Sequence, residues 1–495
     1  MCVDRFYFVI LGYALFRAIR GIYRLLASTR WLKINSLRLP NSRPGKIKYN
    51  FIILLPVLRE QEIIAKTFQI FSNLKGEYKL IFITTQKEDF QKKLLLQKLR
   101  ELIPELLKIG DENQFAERTS GIFPKTLAEQ LFKKLGEFGN DQEATSFLIN
   151  SYKLLPHTRE ILERLIQESG KSNKISILDY PRVDGVMSHQ LNFACNFVNQ
   201  SNDPQKTFIM VYNADSVVSE DLIILVEKFL GLYPKAKVIQ QSAVFLNNFN
   251  NFKGHWRKSF LQAVALLQTR WTLSHEIPRI LTQFNSKIGN FIEGSHLVGH
   301  GLFIRSDILN EVGNFPTKYL NEDLPLGYLI RLHGEKIYPF PILEYADSPT
   351  IIKSMFNQYK VWFYGVFNYP QYMYDAIVKL KLPILKALIW GLKYCVRALM
   401  WLLLSFTWFF LFIYPLLSGN FTYLLFTLFA FVIYAPLSYY LIIKIYRKSA
   451  EADWKVYLMS FPVYLTHSLG PLMAVKDFTL KFFFKKTFEK TKTER

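Results

Sequence analysis

Short apolar runs alternate with helical periodicity along the first part of the chain. Phe51–Leu55, Lys79–Thr84, Ile175–Leu178, Phe208–Tyr212, Lys237–Ala243 and Lys336–Pro339 have strand length, and runs of this kind form buried, largely parallel strands. Between them, Gln61–Leu74, Ser188–Val198, Glu220–Leu230 and Trp256–Leu273 carry helical spacing. The opening strand–helix–strand is the start of a doubly wound sheet. Residues 89–172 break the rhythm. Leu, Lys, Glu and Gln dominate there, and stretches such as Phe90–Leu107 and Thr158–Glu168 predict a helical insertion with a solvated charged face.

Both flanks are apolar. Phe6–Leu26 contains Arg17, Arg20 and Arg24 on one helical face. Its uninterrupted apolar run, Phe6–Phe16, is too short to span a bilayer, so it reads as an interfacial anchor helix with snorkelling arginines. A tilted transmembrane helix is the alternative, and no small-residue cleavage site marks a removable signal peptide. Arg30–Lys48, basic and broken by Pro40, Pro44 and Gly45, reads as a linker. After Tyr359 the chain turns aromatic and then apolar. Ala398–Leu417 and Phe421–Ile443 carry no charge, are each long enough to span, and are joined by Ser418-Gly419-Asn420. Lys444, Arg447 and Lys448 after the second span, and Lys386, Lys393 and Arg397 before the first, place those ends and the preceding domain in the cytosol. Val456–Val475 is apolar but holds Pro462, His467, Gly470 and Pro471. The basic tail Lys476–Arg495 favours a re-entrant segment there over a third span.

The expected organisation is therefore 1–48 membrane-interface helix and linker, 49–88 first part of the sheet domain, 89–172 insertion, and 173–350 the rest of that domain. Interfacial aromatic helices over 351–397, a transmembrane region over 398–475 and a basic tail over 476–495 complete it. Composition agrees: of 495 residues 50% are hydrophobic and 16% aromatic, yet 21% are charged, as a soluble domain joined to a membrane part requires. A net charge of +22 points to nucleic acid, an anionic membrane or an anionic substrate. No zinc-finger spacing or aromatic-basic RNA motif is present, so nucleic acid is the weakest of the three and is not expected as a partner. Cys2, Cys195 and Cys395 support neither a disulfide framework nor a metal site, which fits a reducing cytosolic face.

Candidate chemistry sits where strands end. Phe208–Tyr212 stops at Asn213-Ala214-Asp215-Ser216. The carboxyl end of a buried strand is where open α/β sheets bind ligands, and Asp215 suits a hard divalent cation that bridges phosphates. Capping of the next helix is the plain alternative. Four further pieces follow the same order: Pro56-Val57-Leu58-Arg59-Glu60, Gly299-His300-Gly301-Leu302-Phe303-Ile304-Arg305, Asn321-Glu322-Asp323, and Gln358-Tyr359-Lys360-Val361-Trp362. Taken alone, Glu322-Asp323 is a helix N-terminus and Trp362 belongs to an interfacial aromatic belt. His255, His275, His296 and His300 share no recurring ligand spacing, so structural histidines are expected rather than a zinc site. Arg257 and Arg270-Trp271 are candidate diphosphate or acceptor contacts.

The ordered set, over residues 50–85 and 175–475, resembles the membrane-embedded family 2 glycosyltransferases, which include the cellulose and hyaluronan synthases. The resemblance implies a GT-A fold, an α/β Rossmann-like mixed sheet carrying the helical insertion, followed by a C-terminal α-helical membrane region. It implies donor-nucleotide contacts at Pro56, Glu60 and Asn213, a metal ligand at Asp215, and Asp323 as general base beside Glu322. Acceptor or diphosphate contacts would come from Gly299, His300, Gly301, Gln358, Lys360 and Trp362. Departures are visible: Arg59 stands for the usual Asn, Asn213 for the first Asp of Asp-x-Asp, Thr84-Thr85 for the base-binding Asp, and Val361 for Arg. Glu88 is a candidate substitute for that missing Asp, its alternative role being a helix-start acid. The implied activity is a membrane-bound inverting transfer from a nucleotide-diphosphate sugar, UDP-linked, with Mg2+ or Mn2+, to a glycan or lipid-linked acceptor. The implied place is the plasma or inner membrane, with the lipid bilayer itself a partner. The alternative is a catalytically degenerate scaffold or partner subunit.

Overall fold

The computed structural model describes residues 2–45, 47–252, 254–294, 297–447 and 453–484. A helix, α1 (Cys2–Arg38), precedes strand β1 (Asn50–Pro56), α2 (Ile64–Ser72) and β2 (Lys79–Thr85). The insertion supplies α3 (Lys87–Leu106), α4 (Glu112–Arg118), α5 (Lys125–Leu135), α6 (Asp141–Lys153) and α7 (Thr158–Ser169). The sheet resumes with β3 (Ile175–Tyr180), α8 (Met187–Asn199), β4 (Thr207–Val211), α9 (Leu222–Leu232), β5 (Val238–Gln240) and β6 (Ala243–Val244). Then come α10 (His255–Trp271), a π turn (Thr272–Glu276), α11 (Ile277–Asn285), α12 (Lys287–Ile292), β7 (Leu302–Arg305), α13 (Ser306–Glu311), α14 (Asp323–Leu332), β8 (Ile337–Pro339) and β9 (Glu344–Tyr345). The rest is helical: α15 (Ile352–Phe367), α16 (Tyr369–Tyr374), α17 (Ile384–Leu402), α18 (Leu404–Leu417), α19 (Phe421–Tyr434), α20 (Pro436–Tyr446), α21 (Lys455–Thr466) and α22 (Leu469–Phe484).

The seven-stranded sheet runs β3-β2-β1-β4-β7-β5-β8. β3, β2, β1 and β4 are parallel, as are β5 and β8, while β7 lies antiparallel between β4 and β5. Its strands are apolar on both faces because both faces are covered. Phe51, Ile53, Leu55, Phe208 and Met210 face one core with α2 and α9, while Ile52, Leu54, Ile209 and Val211 face another with α8.

Three parts of the sheet region differ from expectation. The run Lys237–Ala243 divides at Gln241-Ser242, and β6 leaves to pair with β9 in a separate two-stranded sheet. The polar pair ends the first strand because Gln241 bonds across to Gly301, whose φ is 61° and whose position would bring any Cβ onto the Gln241 carbonyl. β7 was hidden in sequence by its brevity and by the glycines before it. α7 belongs to the sheet: Ile161 and Leu162 join the β1–β2 core, whereas α3–α6 enclose a core of their own around Leu99, Phe115, Phe123 and Leu148. The insertion proper therefore ends before Thr158.

α1 is longer than its apolar run. Tyr7 stacks on Tyr423, with ring centroids 5.0 Å apart, and its hydroxyl donates to the Tyr423 carbonyl at 2.7 Å. Further along, Thr29 meets the Tyr446 hydroxyl at 3.5 Å, and Leu39, just past the helix, enters the sheet core near α9. The rise from Tyr7 to Thr29 is roughly 33 Å, the same stretch that α19–α20 covers. α1 thus runs as a strut alongside α19–α20 and ends against the sheet domain, a course that suits the tilted-span alternative better than the interfacial one. It is long and apolar enough to cross a membrane, as are Phe421–Tyr446 and Lys455–Leu480.

Ala398–Leu417, read as one uninterrupted span, is bent by 45° between α17 and α18. Ser405 and Ser468 bond reciprocally there, Ser405 N to Ser468 Oγ at 3.0 Å and Ser468 N to Ser405 Oγ at 2.8 Å. Side-chain hydroxyls thus satisfy backbone groups freed by the break, as an apolar setting demands. With that bent pair counted as one, up to four described segments have the length and composition of a span.

Candidate active site

The carboxyl ends of β1, β2, β4, β5 and β8 share one edge, and the antiparallel β7 brings its start to it: Leu302 pairs with both Val211 and Gln240. Pro56–Glu60, Thr84–Glu88, Asn213–Ser216, Gln241-Ser242 and Gly299–Gly301 therefore converge by topology alone.

Asp215 is buried, and its Oδ2 accepts the backbone N–H of Asp347 at 3.3 Å. Val217 and Tyr345 bridge alongside it, so β9 closes over the tip of β4. α9 begins at Leu222, well past Asp215, and the capping alternative fails. Ser216 Oγ is buried without a protein partner among the described residues. Asp347 is held by Asn247 Nδ2 at 2.7 Å, and burial pushes its carboxyl above the usual range against the pull of Asn247 and Lys66.

Glu322 and Asp323 stand at the start of α14, so the helix-terminus reading is correct as far as it goes. Asp323 Oδ1 accepts its neighbour Leu324 N–H at 2.8 Å, while Oδ2 accepts Gly299 N–H at 3.0 Å. A Cβ at Gly299 would stand 2.9 Å from Glu322 Oε1, so the loop approaches the acid pair as only glycine permits.

His300 is buried and pairs through Nδ1 with Glu344, itself fully buried. Burial lowers the imidazole pKa, but Glu344, Glu276 and Asp323 outweigh it and hold His300 above its ordinary value. Glu276 closes the π turn, a helix irregularity frequent at functional sites. Burial pushes its carboxyl up to about 7 despite Ser242, His300 and Arg279. Gln240 Nε2 fixes the loop by donating to the His300 carbonyl at 2.9 Å, and its Oε1 accepts Val298 N–H at 2.9 Å.

Trp362 joins this group through Phe245, whose ring lies 6.0 Å from Trp362 and 6.4 Å from His300. The other two residues of its motif are engaged elsewhere. Gln358 accepts from Gln268 at 2.7 Å, locking α15 to α10, and Lys360 pairs with Asp477 of α22 at 3.0 Å. At the end of β1, Glu60 N–H donates to Thr158 Oγ1 at 3.0 Å, and Pro56 is the strand's last residue. Glu88 is buried and accepts from Arg59 N–H at 3.2 Å, Gln61 Nε2 at 2.8 Å, and Thr158 N–H and Oγ1 at 2.9 and 3.0 Å. Its carboxylate ties the β1 loop to the N-terminus of α7 from the first turn of α3. Arg59, at φ 59°, reaches the Gly121 carbonyl, and Arg257 pairs with Glu117, so the insertion contacts both the β1 loop and the start of α10.

Among the described residues the histidines do not gather. His255 meets Lys455, His275 meets Ser274, and His296 lies outside the described residues. Arg270 turns into the helical bundle, over Tyr434 at 4.4 Å and onto Ser438 at 3.2 Å, away from the sheet edge. Sequence reading missed Glu276, Glu344 and Asp347. The signal was the acid pair flanking Tyr345-Ala346 after the last strand, which only the β6–β9 pairing explains.

Residues 208–443 match the model of the glycosyl transferase family group 2. The match holds Asn213, Asp215, Gly299–Gly301, Glu322, Asp323, Gln358, Lys360 and Trp362; Pro56, Glu60 and Glu88 precede it. It spans just under half of the chain. No curated protein matches in sequence. Among solved structures, the chain aligns with mannosyltransferase PcManGT from Pyrobaculum calidifontis in complex with GDP-Man and Mn2+, at 11% identity and a TM-score of 0.40, over 93% of this chain and 99% of that one.

Proposed function

We propose that the protein is a membrane-bound inverting glycosyltransferase of the GT-A type that uses a nucleotide-diphosphate sugar, UDP-linked, and a glycan or lipid-linked acceptor. The observation that carries the reading is the Gly299 N–H bond to Asp323 Oδ2, at 3.0 Å. It brings the acid of α14 to the sheet edge where Asp215 follows β4, inside the segment that matches the family.

The residues fit a divalent cation that arrives with the donor. Among the described residues no group of three or more His, Cys, Asp or Glu gathers to hold a metal on its own. Mg2+-type sites need only one or two carboxylates when substrate phosphates complete the shell. Asp215 supplies one, with Asn213 and the unpartnered Ser216 hydroxyl beside it. A cation bound there would neutralise charge developing on the departing diphosphate.

The remaining chemistry belongs to side chains. Asp323, oriented by two N–H groups, takes the proton from the acceptor hydroxyl as that oxygen bonds to the anomeric carbon. The carbon–oxygen bond to the diphosphate breaks, and its electron pair leaves with the nucleoside diphosphate. Trp362, Phe245 and His300 form a wall on which an acceptor sugar can stack, which supports the glycan acceptor. The membrane-bound part of the reading is supported by the strut and the apolar helices.

Transfer and donor hydrolysis by the full-length protein test the proposal. Loss of both in Asp215→Ala and Asp323→Asn is expected, and wild-type turnover in both variants would sink it.

A further inference from the structure

Arg24, Arg279, Lys393 and Arg397 gather around Glu293 where α1, α11 and α17 meet, and Arg17 and Arg24 of α1 also act on His275 beside them. Glu293 holds Lys393 at 2.8 Å and Arg397 at 3.1 Å. Although burial opposes it, Arg397, Lys393 and Arg279 hold its carboxyl down at about 2. Arg279 is buried, over Trp271 at 5.9 Å; burial, then Arg397, lowers its guanidinium to about 10, and Arg24 adds to the push. His275 is pushed down by burial and then by Arg270, Arg279, Arg17 and Arg24. Arg397 Nη1 is buried without a protein partner among the described residues.

Arg270, which acts on His275 beside this seam, gives a depth that can be read on two helices. Arg270 passes beside Gly21, where a Cβ would stand 3.0 Å from its Nη2, and donates to Ser438 at 3.2 Å. Gly21 and Ser438 lie the same number of residues before Thr29 and Tyr446, which touch. Both rulers put Arg270 about 12 Å inside that level. Cations at such depth are costly in a bilayer and mark ligand pathways, and basic pockets between spanning helices take phosphate head groups. A positive excess facing one acid is the arrangement that a phosphate would balance. Beside Glu293, α12 exposes Ile288, Phe291 and Ile292, an apolar edge suited to acyl chains at the interface.

We propose that this seam binds the phosphate or diphosphate head of a lipid. The inference rests on the membrane-bound part of the proposed function and is independent of the catalytic part, so the test reads lipid rather than turnover.

Full-length protein is placed in nanodiscs of phosphatidylcholine with a minor share of phosphatidic acid, and bound lipid is read by native mass spectrometry. Phosphatidic acid enriched over its share is the expected result. Arg279→Gln and Arg397→Gln should each reduce that enrichment about fivefold, and Glu293→Gln should raise it. Arg279→Lys, which keeps the charge, should retain it. Enrichment equal to the lipid's share, or unchanged in both glutamine variants, would overturn the site. Loss in Arg279→Lys as complete as in Arg279→Gln would overturn its electrostatic basis. Displacement of the bound lipid by inorganic pyrophosphate at equal concentration would show that a free anion suffices and overturn the lipid assignment.

Discussion

Gly299 donates its N–H to Asp323 Oδ2 at 3.0 Å, and its missing side chain leaves room for Glu322 Oε1, which a Cβ would approach to 2.9 Å. Gly299→Ala should therefore displace the acid pair with little effect on the cores. A shift of about 1 Å at reacting groups costs on the order of 100-fold in rate. We expect kcat to fall by that order while the thermal midpoint changes little. An alanine variant with wild-type kcat would show that this loop does not set the base.

Much of this arrangement was legible in the sequence. The runs that became β1, β2 and β4 are apolar on both faces, and Asn213–Asp215 ends the one at the sheet's centre. What stayed hidden depends on pairing across distance. Glu344 and Asp347 reach the site only because β6 and β9 pair, and two-residue strands leave no periodic trace. The choice between the two readings of α1, interfacial helix and tilted span, stayed open in the sequence for a related reason. Arg24 interrupts the apolar pattern, yet its neighbours across the junction are residues of α11 and α17, far away in the chain.

Asp215 is expected to govern metal response as well as turnover. Wild-type transfer should fall at least about 100-fold on chelation and return with Mn2+ or Mg2+. Asp215→Ala should be low throughout and gain nothing from added metal. Asp347→Asn, which keeps the backbone N–H to Asp215 but removes a nearby charge, should raise the Mn2+ concentration for half-activity severalfold. Metal-independent wild-type transfer would refute the cation's role.

Glu88 separates a structural role from a nucleotide-binding one. It accepts four hydrogen bonds that join Arg59, Gln61 and Thr158. Glu88→Ala leaves these donors without their acceptor and should destabilise by roughly 3 kcal/mol. Donor KM should rise through disorder of the loop, equally for every nucleotide base. A changed preference among bases, with thermal stability intact, would restore Glu88 as a direct base contact.

Glu276 and His300 give the fold a pH dependence of one sign. Glu276 is raised from 4.5 to about 7 by burial, so the folded state binds its proton more tightly than the unfolded chain. The stability linked to that proton is full below about 4.5 and is lost as pH rises through about 7. A shift of this size corresponds to at most on the order of 3 kcal/mol. His300, raised by Glu344 against burial, adds in the same direction, its share being lost above its ordinary range. The thermal midpoint should therefore fall between about pH 5 and pH 8. Glu276→Gln, neutral at every pH, should flatten the profile and exceed the wild type at its alkaline end. A wild-type midpoint that rises over this range, or a glutamine variant with the same slope, would show that Glu276 is not buried as described.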